Sequence, residues 1–214
     1  MVSLSALAFR GKLVESEHNA LCIVQDIKKN IILSSENTTK PIFPRSAIKI
    51  FQAMPFIASN AHLLFNLDEK QIAISCSSHI GELFHLEVLK QWIRKINIPL
   101  NLLKCGIHNP IDQDSSNNLM LSGNKPSVLH NNCSGKHLGM ISGCLAKKIN
   151  IKNYLKINNP YQKLIRNVLE NFMEKKIKKE AIGVDGCNAP QYAFPLKNIS
   201  TSMINLIKTK EENN

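Results

Sequence analysis

The segment Phe43-Pro44-Arg45-Ser46-Ala47-Ile48-Lys49 sets a serine and a lysine three residues apart, ahead of the apolar run Ile50-Phe51-Gln52-Ala53-Met54-Pro55-Phe56. In a helix starting near Ser46, Lys49 lies one turn further on and on the same face. A serine hydroxyl is a poor nucleophile until a neighbouring base takes its proton. Lysine is that base only when neutral, and desolvation, a nearby cation and the positive end of a helix all lower its pKa. Arg45 and the helix start supply two of these. Taken alone, the same spacing also reads as an N-capping serine followed by a surface lysine.

Three further segments collect polar chemistry beside glycine. Cys76-Ser77-Ser78-His79-Ile80-Gly81-Glu82 brings a thiol, two hydroxyls, an imidazole and a carboxylate together. His130-Asn131-Asn132-Cys133-Ser134-Gly135-Lys136-His137 is denser and holds no acid. Val184-Asp185-Gly186-Cys187-Asn188-Ala189-Pro190 is the last. Such stretches read as loops converging on one site, with Ser46 as nucleophile, Lys49 as base and Ser78 as a second candidate nucleophile. Cys133 and His137 are four apart on one helix face, and Cys187 is a natural third ligand for a Cys2His zinc site. Asp185 suits a substrate ammonium and Arg45 a substrate carboxylate, by charge. His79 and His108 read as hydrogen-bonded structural histidines.

These residues occur in a recognisable order. Arg10-Gly11, Glu15-Ser16 and His18 are followed by FPRSAIK, CSSHIGE, CGIHNP (Cys105 to Pro110), HNNCSGKHLGM (His130 to Met140) and GVDGCNAP (Gly183 to Pro190). The chain resembles the rhizobial-type, or class 3, L-asparaginases of the asparaginase II family, from about Arg10 to Leu196. The resemblance implies hydrolysis of the side-chain amide of L-asparagine to aspartate and ammonia. It implies a mixed α/β fold in three layers, similar to the serine β-lactamases and related glutaminases. Ser46 and Lys49 match a first serine–lysine pair, and Ser78 the serine of a second. Cys133, Lys136 and Cys187 match the ligands of one zinc ion, which sets Lys136 against His137 as third ligand. Arg45, His137 and Asp185 match residues lining the pocket. Two departures accompany the match. Ile50 stands where proline usually follows the Ser-x-x-Lys lysine. The lysine that partners the second serine comes from the C-terminal third of family members, whereas this chain ends at Asn214. The expectation is a single catalytic-type domain over 1–214, incomplete at its C-terminus and with an apolar face left bare. The alternative to an asparaginase is an inactive remnant or a zinc-binding module.

Composition narrows the partners. At 214 residues, 43% hydrophobic and 20% charged, the chain can bury a full core. No run reaches the roughly 18 apolar residues of a membrane helix, and the first ten residues lack the basic start of a signal peptide. The expected location is cytoplasmic, with no membrane partner. The net charge of +11 would ordinarily raise nucleic-acid binding. Its excess is concentrated between Lys147 and Glu180, where ten Lys and Arg face three Glu. There the lysines alternate with apolar residues at helical spacing, which marks a solvated helix face rather than a nucleic-acid surface. A small-molecule substrate and a homodimer are the expected partners. Six cysteines without Cys-x-x-Cys spacing read as free thiols or ligands, with Cys22 and Cys144 as small core residues.

The expected elements follow from periodicity and caps. Strands over 20–26 and 30–33 join in a hairpin. Helices are expected over 46–58, from an Asp68 N-cap over 69–75, over 85–95, over 136–145 and over 161–175. The stretch 97–123 reads as a long polar connection that shapes a site, and 208–214 as a polar tail.

Overall fold

A computed structural model of the chain describes residues 4–211. Strands and helices are mixed in one chain, and the described strands pair two by two in four separate ribbons. β1 (Leu4–Arg10) and β2 (Leu13–Ala20) are antiparallel, joined by a tight turn in which Gly11 takes a φ of 62°. Glycine adopts that left-handed conformation without a Cβ penalty. β3 (Ile23–Gln25) and β4 (Ile31–Ser34) form the expected hairpin. β5 (Pro41–Ile42) pairs with β8 (Phe194–Pro195), and β6 (Ile182–Val184) with β7 (Pro190–Tyr192).

Two compact units divide the chain. One comprises Met1–Pro44, Glu170–Ile182 and Tyr192–Asn214; the other comprises Arg45–Leu169 and Gly183–Gln191. In the first, helix α8 (Leu196–Glu211) packs on β3 and β8 and buries Ile199 and Ile204. Lys208–Glu211, expected as tail, belongs to this helix; residues 212–214 lie outside the described ones. The β1–β2 ribbon is exposed along almost its whole length, Leu7, Phe9 and Leu13 included.

The second unit is helical and carries every catalytic, pocket and ligand candidate named above, from Arg45 to Cys187. Its elements are α1 (Lys49–Ala58), α2 (Ala61–Leu64), α3 (Glu69–Ser75), α4 (Leu83–Ile96), α5 (Gln113–Leu121), α6 (Ser134–Ala146) and the start of α7 (Pro160–Phe172). Asp68 caps α3 as expected: its carboxylate accepts from the Lys70 and Gln71 amides while the Gln71 side chain takes the Asp68 N–H. α4 buries Leu86, Leu89, Trp92 and Ile96, a one-sided apolar stripe. α5 lies inside the stretch expected to be irregular; Asp112 caps it, and none of its residues is buried.

α6 is the hub. It is buried continuously from Ser134 to Cys144, and α1, α2, α3 and α4 all pack on it. Glycines at 135, 139 and 143 recur every four residues, so they share one face. A Cβ on Gly135 would stand 2.3 Å from the Ile74 carbonyl oxygen, and one on Gly143 2.3 Å from the Tyr161 hydroxyl. The stripe lets neighbouring elements approach α6 more closely than any side chain permits. Trp92 of α4 donates its indole N–H to Ser142 Oγ at 2.9 Å, satisfying both groups in the core.

Candidate active site

The chain enters the site through strain. Arg45 takes a φ of 51°, a left-handed conformation that costs a non-glycine residue energy. Gln191 Nε2 donates to the Arg45 carbonyl at 3.2 Å and holds the turn. Residues Arg45–Ile48 then form a 3-10 turn rather than the first turn of α1. As a result Ser46 is exposed while Lys49 is buried at 2% exposure.

Ser46 and Lys49 meet through a third residue. Lys49 Nζ lies 2.7 Å from Ser78 Oγ, and Ser78 Oγ lies 2.9 Å from Ser46 Oγ. Lys49 also reaches two backbone carbonyls, Ser77 at 2.8 Å and Asn132 at 3.3 Å, and contacts the Cys133 sulfur. Burial is the main influence on Lys49 and lowers its pKa; the Cys133 sulfur opposes this and the Lys136 charge adds to it. One serine thus lies at each of two steps from a single buried amine.

Behind Lys49 lies a sulfur–amine cluster. Cys133 and Cys187 are hydrogen-bonded to each other. That bond, aided by the charges of Lys136 and Lys49, lowers the Cys133 thiol to about 6. Cys187 is pushed upward by the same bond and by burial. Lys136 Nζ donates to Cys187 Sγ at 3.1 Å, and Asp185 Oδ2 lies 4.0 Å from that sulfur. Asp185 Oδ1 pairs with the Arg45 guanidinium at 2.9 Å, with Arg45 mostly in solvent and Asp185 largely buried.

The expected zinc ion is corrected by this arrangement. Among the described residues no group of three His, Cys, Asp or Glu could hold a metal ion. Cys133 and Cys187 satisfy each other and the neighbouring amines instead. Nor does His137 supply a third ligand. It is wholly buried with its Nδ1 2.6 Å from the Tyr154 hydroxyl, and its Nε2 makes no hydrogen bond among the described residues. The Tyr154 hydroxyl accepts the Lys104 amide at 2.9 Å, so its own proton points at His137 Nδ1. His137 is thus enclosed in the core rather than open to solvent. Cys133, Lys136 and Cys187 form an electrostatic cluster.

Two histidines outside the expected site brace it. His79, next to Ser78, is 3% exposed, and its Nε2 is 2.8 Å from Ser134 Oγ. Ser134 gives its own proton to the Leu129 carbonyl at 3.2 Å, so the imidazole must be the donor. Burial, followed by the adjacent His85, holds His79 down at about 4. An unfolded histidine titrates near 6.5. Above that pH both states are neutral; below it the unfolded chain takes up a proton that the folded chain refuses until about pH 4. Stability should therefore fall as pH drops from about 6.5 to 4, by on the order of 3 kcal/mol from this group. Buried His130 and His137 are shifted the same way. Urea unfolding at pH 7 and pH 4.5 measures the loss, and H79Q should flatten it; an unchanged slope in H79Q would assign the effect elsewhere.

His108 is the second. Its Nε2 accepts the Asn132 amide at 3.0 Å and its Nδ1 faces the Asn109 carbonyl at 2.6 Å. The sequence signal for both histidines was their place in polar motifs; their partners were not legible.

Against known proteins, the family model described as L-asparaginase II matches residues 6–214. The chain therefore belongs to the asparaginase II family. No curated protein matches it at a significant level. Among the described residues no helix is long and apolar enough to cross a membrane.

Proposed function

We propose that the chain is an amidohydrolase of the rhizobial, class 3 type that hydrolyses the side-chain amide of L-asparagine, with Ser46 as nucleophile and Lys49 as base acting through Ser78. The observation that carries this reading is the chain Ser46–Ser78–Lys49, exposed at one end and ending at a buried amine. Of the three oxygens around Lys49, two are carbonyls that only accept. In a neutral amine, two hydrogens directed at the Ser77 and Asn132 carbonyls would leave the lone pair facing Ser78, the one oxygen of the three able to donate. With its proton turned to Lys49, Ser78 would accept from Ser46, whose oxygen is 2.9 Å away. Burial favours this neutral form.

In the first step Ser46 Oγ attacks the amide carbon. Its proton moves to Ser78 as the Ser78 proton moves to Lys49. When the C–N bond breaks, the chain reverses: the ammonium returns a proton through Ser78 to the departing nitrogen, and ammonia leaves. Water then attacks the resulting ester along the same path, releasing aspartate and restoring the Ser46 hydroxyl. Arg45 and Asp185 offer a cation and a carboxylate side by side, complementary to the carboxylate and ammonium of an amino acid. The likeness of the fold to serine β-lactamases and glutaminases belongs to the same proposal.

Ammonia release from L-asparagine, measured by a coupled assay, tests it. S46A should lower kcat by at least about 10³, and S78A by about 10² to 10³, with KM little changed in S78A. A full rate in S78A would sink the relay, and no hydrolysis of L-asparagine by the unaltered chain would sink the substrate.

A further inference from the structure

Lys49 can act as a base only if its hydrogens are held where its lone pair faces Ser78. One of the two carbonyls that hold them belongs to Asn132, and that residue is gripped from both sides. The planar, trans peptide joining Asn132 to Cys133 carries the carbonyl that faces Lys49 at one edge and the Cys133 N–H at the other. That N–H donates to Asn131 Oδ1 at 2.9 Å. Asn131 is itself fixed, because its Nδ2 donates to the Cys105 carbonyl at 2.9 Å and the side chain is 5% exposed. Turning this peptide would break the Asn131 bond, so the carbonyl direction is set by Asn131. The preceding peptide is held by His108, whose Nε2 takes the Asn132 N–H at 3.0 Å. The Asn109 carbonyl, 2.6 Å from Nδ1, selects the tautomer with its proton there and leaves Nε2 free to accept. The two residues that follow the Cys105–Pro110 segment tie it to the Ser78 side of the site. The amides of Ile111 and Asp112 both donate to the Ile80 carbonyl, at 2.8 and 2.9 Å.

We propose that Asn131 and His108 are positioning residues for the base: by clamping both peptides of Asn132 they aim the carbonyl that orients Lys49. The proposal rests on the serine–lysine reading above. Neither side chain reaches Ser46 or the substrate groups; their effect passes through the backbone. A merely structural role would lower the melting temperature and leave the well-folded variant fully reactive. A positioning role slows the chemistry in a folded protein and depends on the acceptor atom rather than on bulk.

The test reads Ser46 directly. The rate of its modification by a fluorophosphonate, followed by intact mass, reports activation of the hydroxyl without requiring turnover; kcat and KM for L-asparagine are measured alongside. H108L removes the acceptor, whereas H108Q places an amide oxygen near the Nε2 position. H108L should slow Ser46 labelling and kcat by about 10- to 100-fold with KM unchanged, as expected for a misaligned catalytic group. H108Q should stay within about threefold of the parent chain. N131D keeps an acceptor for the Cys133 amide and should outperform N131L; where buried N131L fails to fold, the His108 pair decides. Labelling of H108L at the parent rate overturns the proposal, as does H108Q being as slow as H108L, or a loss confined to KM. K49M separates this from the underlying reading: if K49M labels as fast as the parent, or the parent does not label, the relay itself is wrong. If K49M is unreactive and H108L normal, the relay stands and the clamp falls.

Discussion

Replacing Lys49 with methionine should abolish ammonia release from L-asparagine, lowering kcat by at least about 10² to 10⁴, while the protein stays folded. Methionine is unbranched and close in length, so it fills the channel that the lysine stem occupies. Lys49 is 2% exposed, and burial already works against its charged form. Removing the amine therefore removes a desolvation penalty, which offsets the two carbonyls left without a donor at about 1 to 3 kcal/mol each. Thermal unfolding should show a melting temperature near or above the parent value. K49R is the sharper variant. It carries a permanent positive charge, because a guanidinium does not deprotonate in a protein, and it cannot accept the Ser78 proton. K49R should be as inactive as K49M. A K49R protein with substantial turnover would mean that the site needs a charge at this position rather than a base.

K136M is the contrasting case. Lys136 touches Cys187 and is absent from the hydrogen bonds of the serine chain. Its effect on Lys49 is electrostatic and runs two ways. It repels the Lys49 charge directly, and it helps to hold the Cys133 thiol at about 6, which favours that charge. These opposing influences make K136M milder than K49M, a ranking that side-by-side assays would check.

Much of the site was legible because four motifs each carry their chemistry locally. Ser46, Lys49 and Ser78 do converge, as do Cys133, Lys136, Asp185 and Cys187. The connectivity was not legible. Sequence spacing joined Ser46 to Lys49 along one helix face. The left-handed Arg45 and the 3-10 turn after it instead leave Ser46 outside and turn Lys49 inward, so that Ser78 must bridge them. Zinc was expected from the family resemblance as well as from residue types and spacing, and none of these can show that both thiols are occupied by each other and by amines. In the fold, strong signals held: the Asp68 cap and the stripe of α4 match their helices. α5 was missed because it buries nothing, and a helix with no buried face leaves no apolar period to read. The ribbon β1–β2 was missed for a related reason: with both faces exposed, no alternation of burial marks it as a strand.

What the glycines of α6 pack against was also invisible in one dimension, and that packing carries the second large effect. G135A should destabilise the protein by about 3 kcal/mol or more and remove activity with it. The new Cβ would lie 2.3 Å from the Ile74 carbonyl oxygen and 2.8 Å from its carbon. Both are backbone atoms near the end of α3, a helix pinned at its other end by the Asp68 capping box. Relief must come from moving a helix, because no rotamer change clears a backbone atom. α6 cannot move freely, since its residues from Ser134 to Cys144 are all buried among other helices. Any shift at Gly135 also drags the adjoining Asn132 carbonyl and Lys136, so the loss of stability and the loss of catalysis share one cause. The neighbours set the scale. At Gly139 a Cβ would meet the Ser75 side chain at 3.3 Å, a contact that a small adjustment relieves, and G139A should cost about 1 kcal/mol. At Gly186, beside Cys187, nothing lies within 4 Å, and G186A should stay within about 0.5 kcal/mol of the parent. Urea unfolding of the three variants gives the order directly. If G135A is as stable as G186A, α6 does not pack on α3 through a bare glycine, and the close approach that places Lys136 and the Asn132 carbonyl beside the serine–lysine chain has another origin.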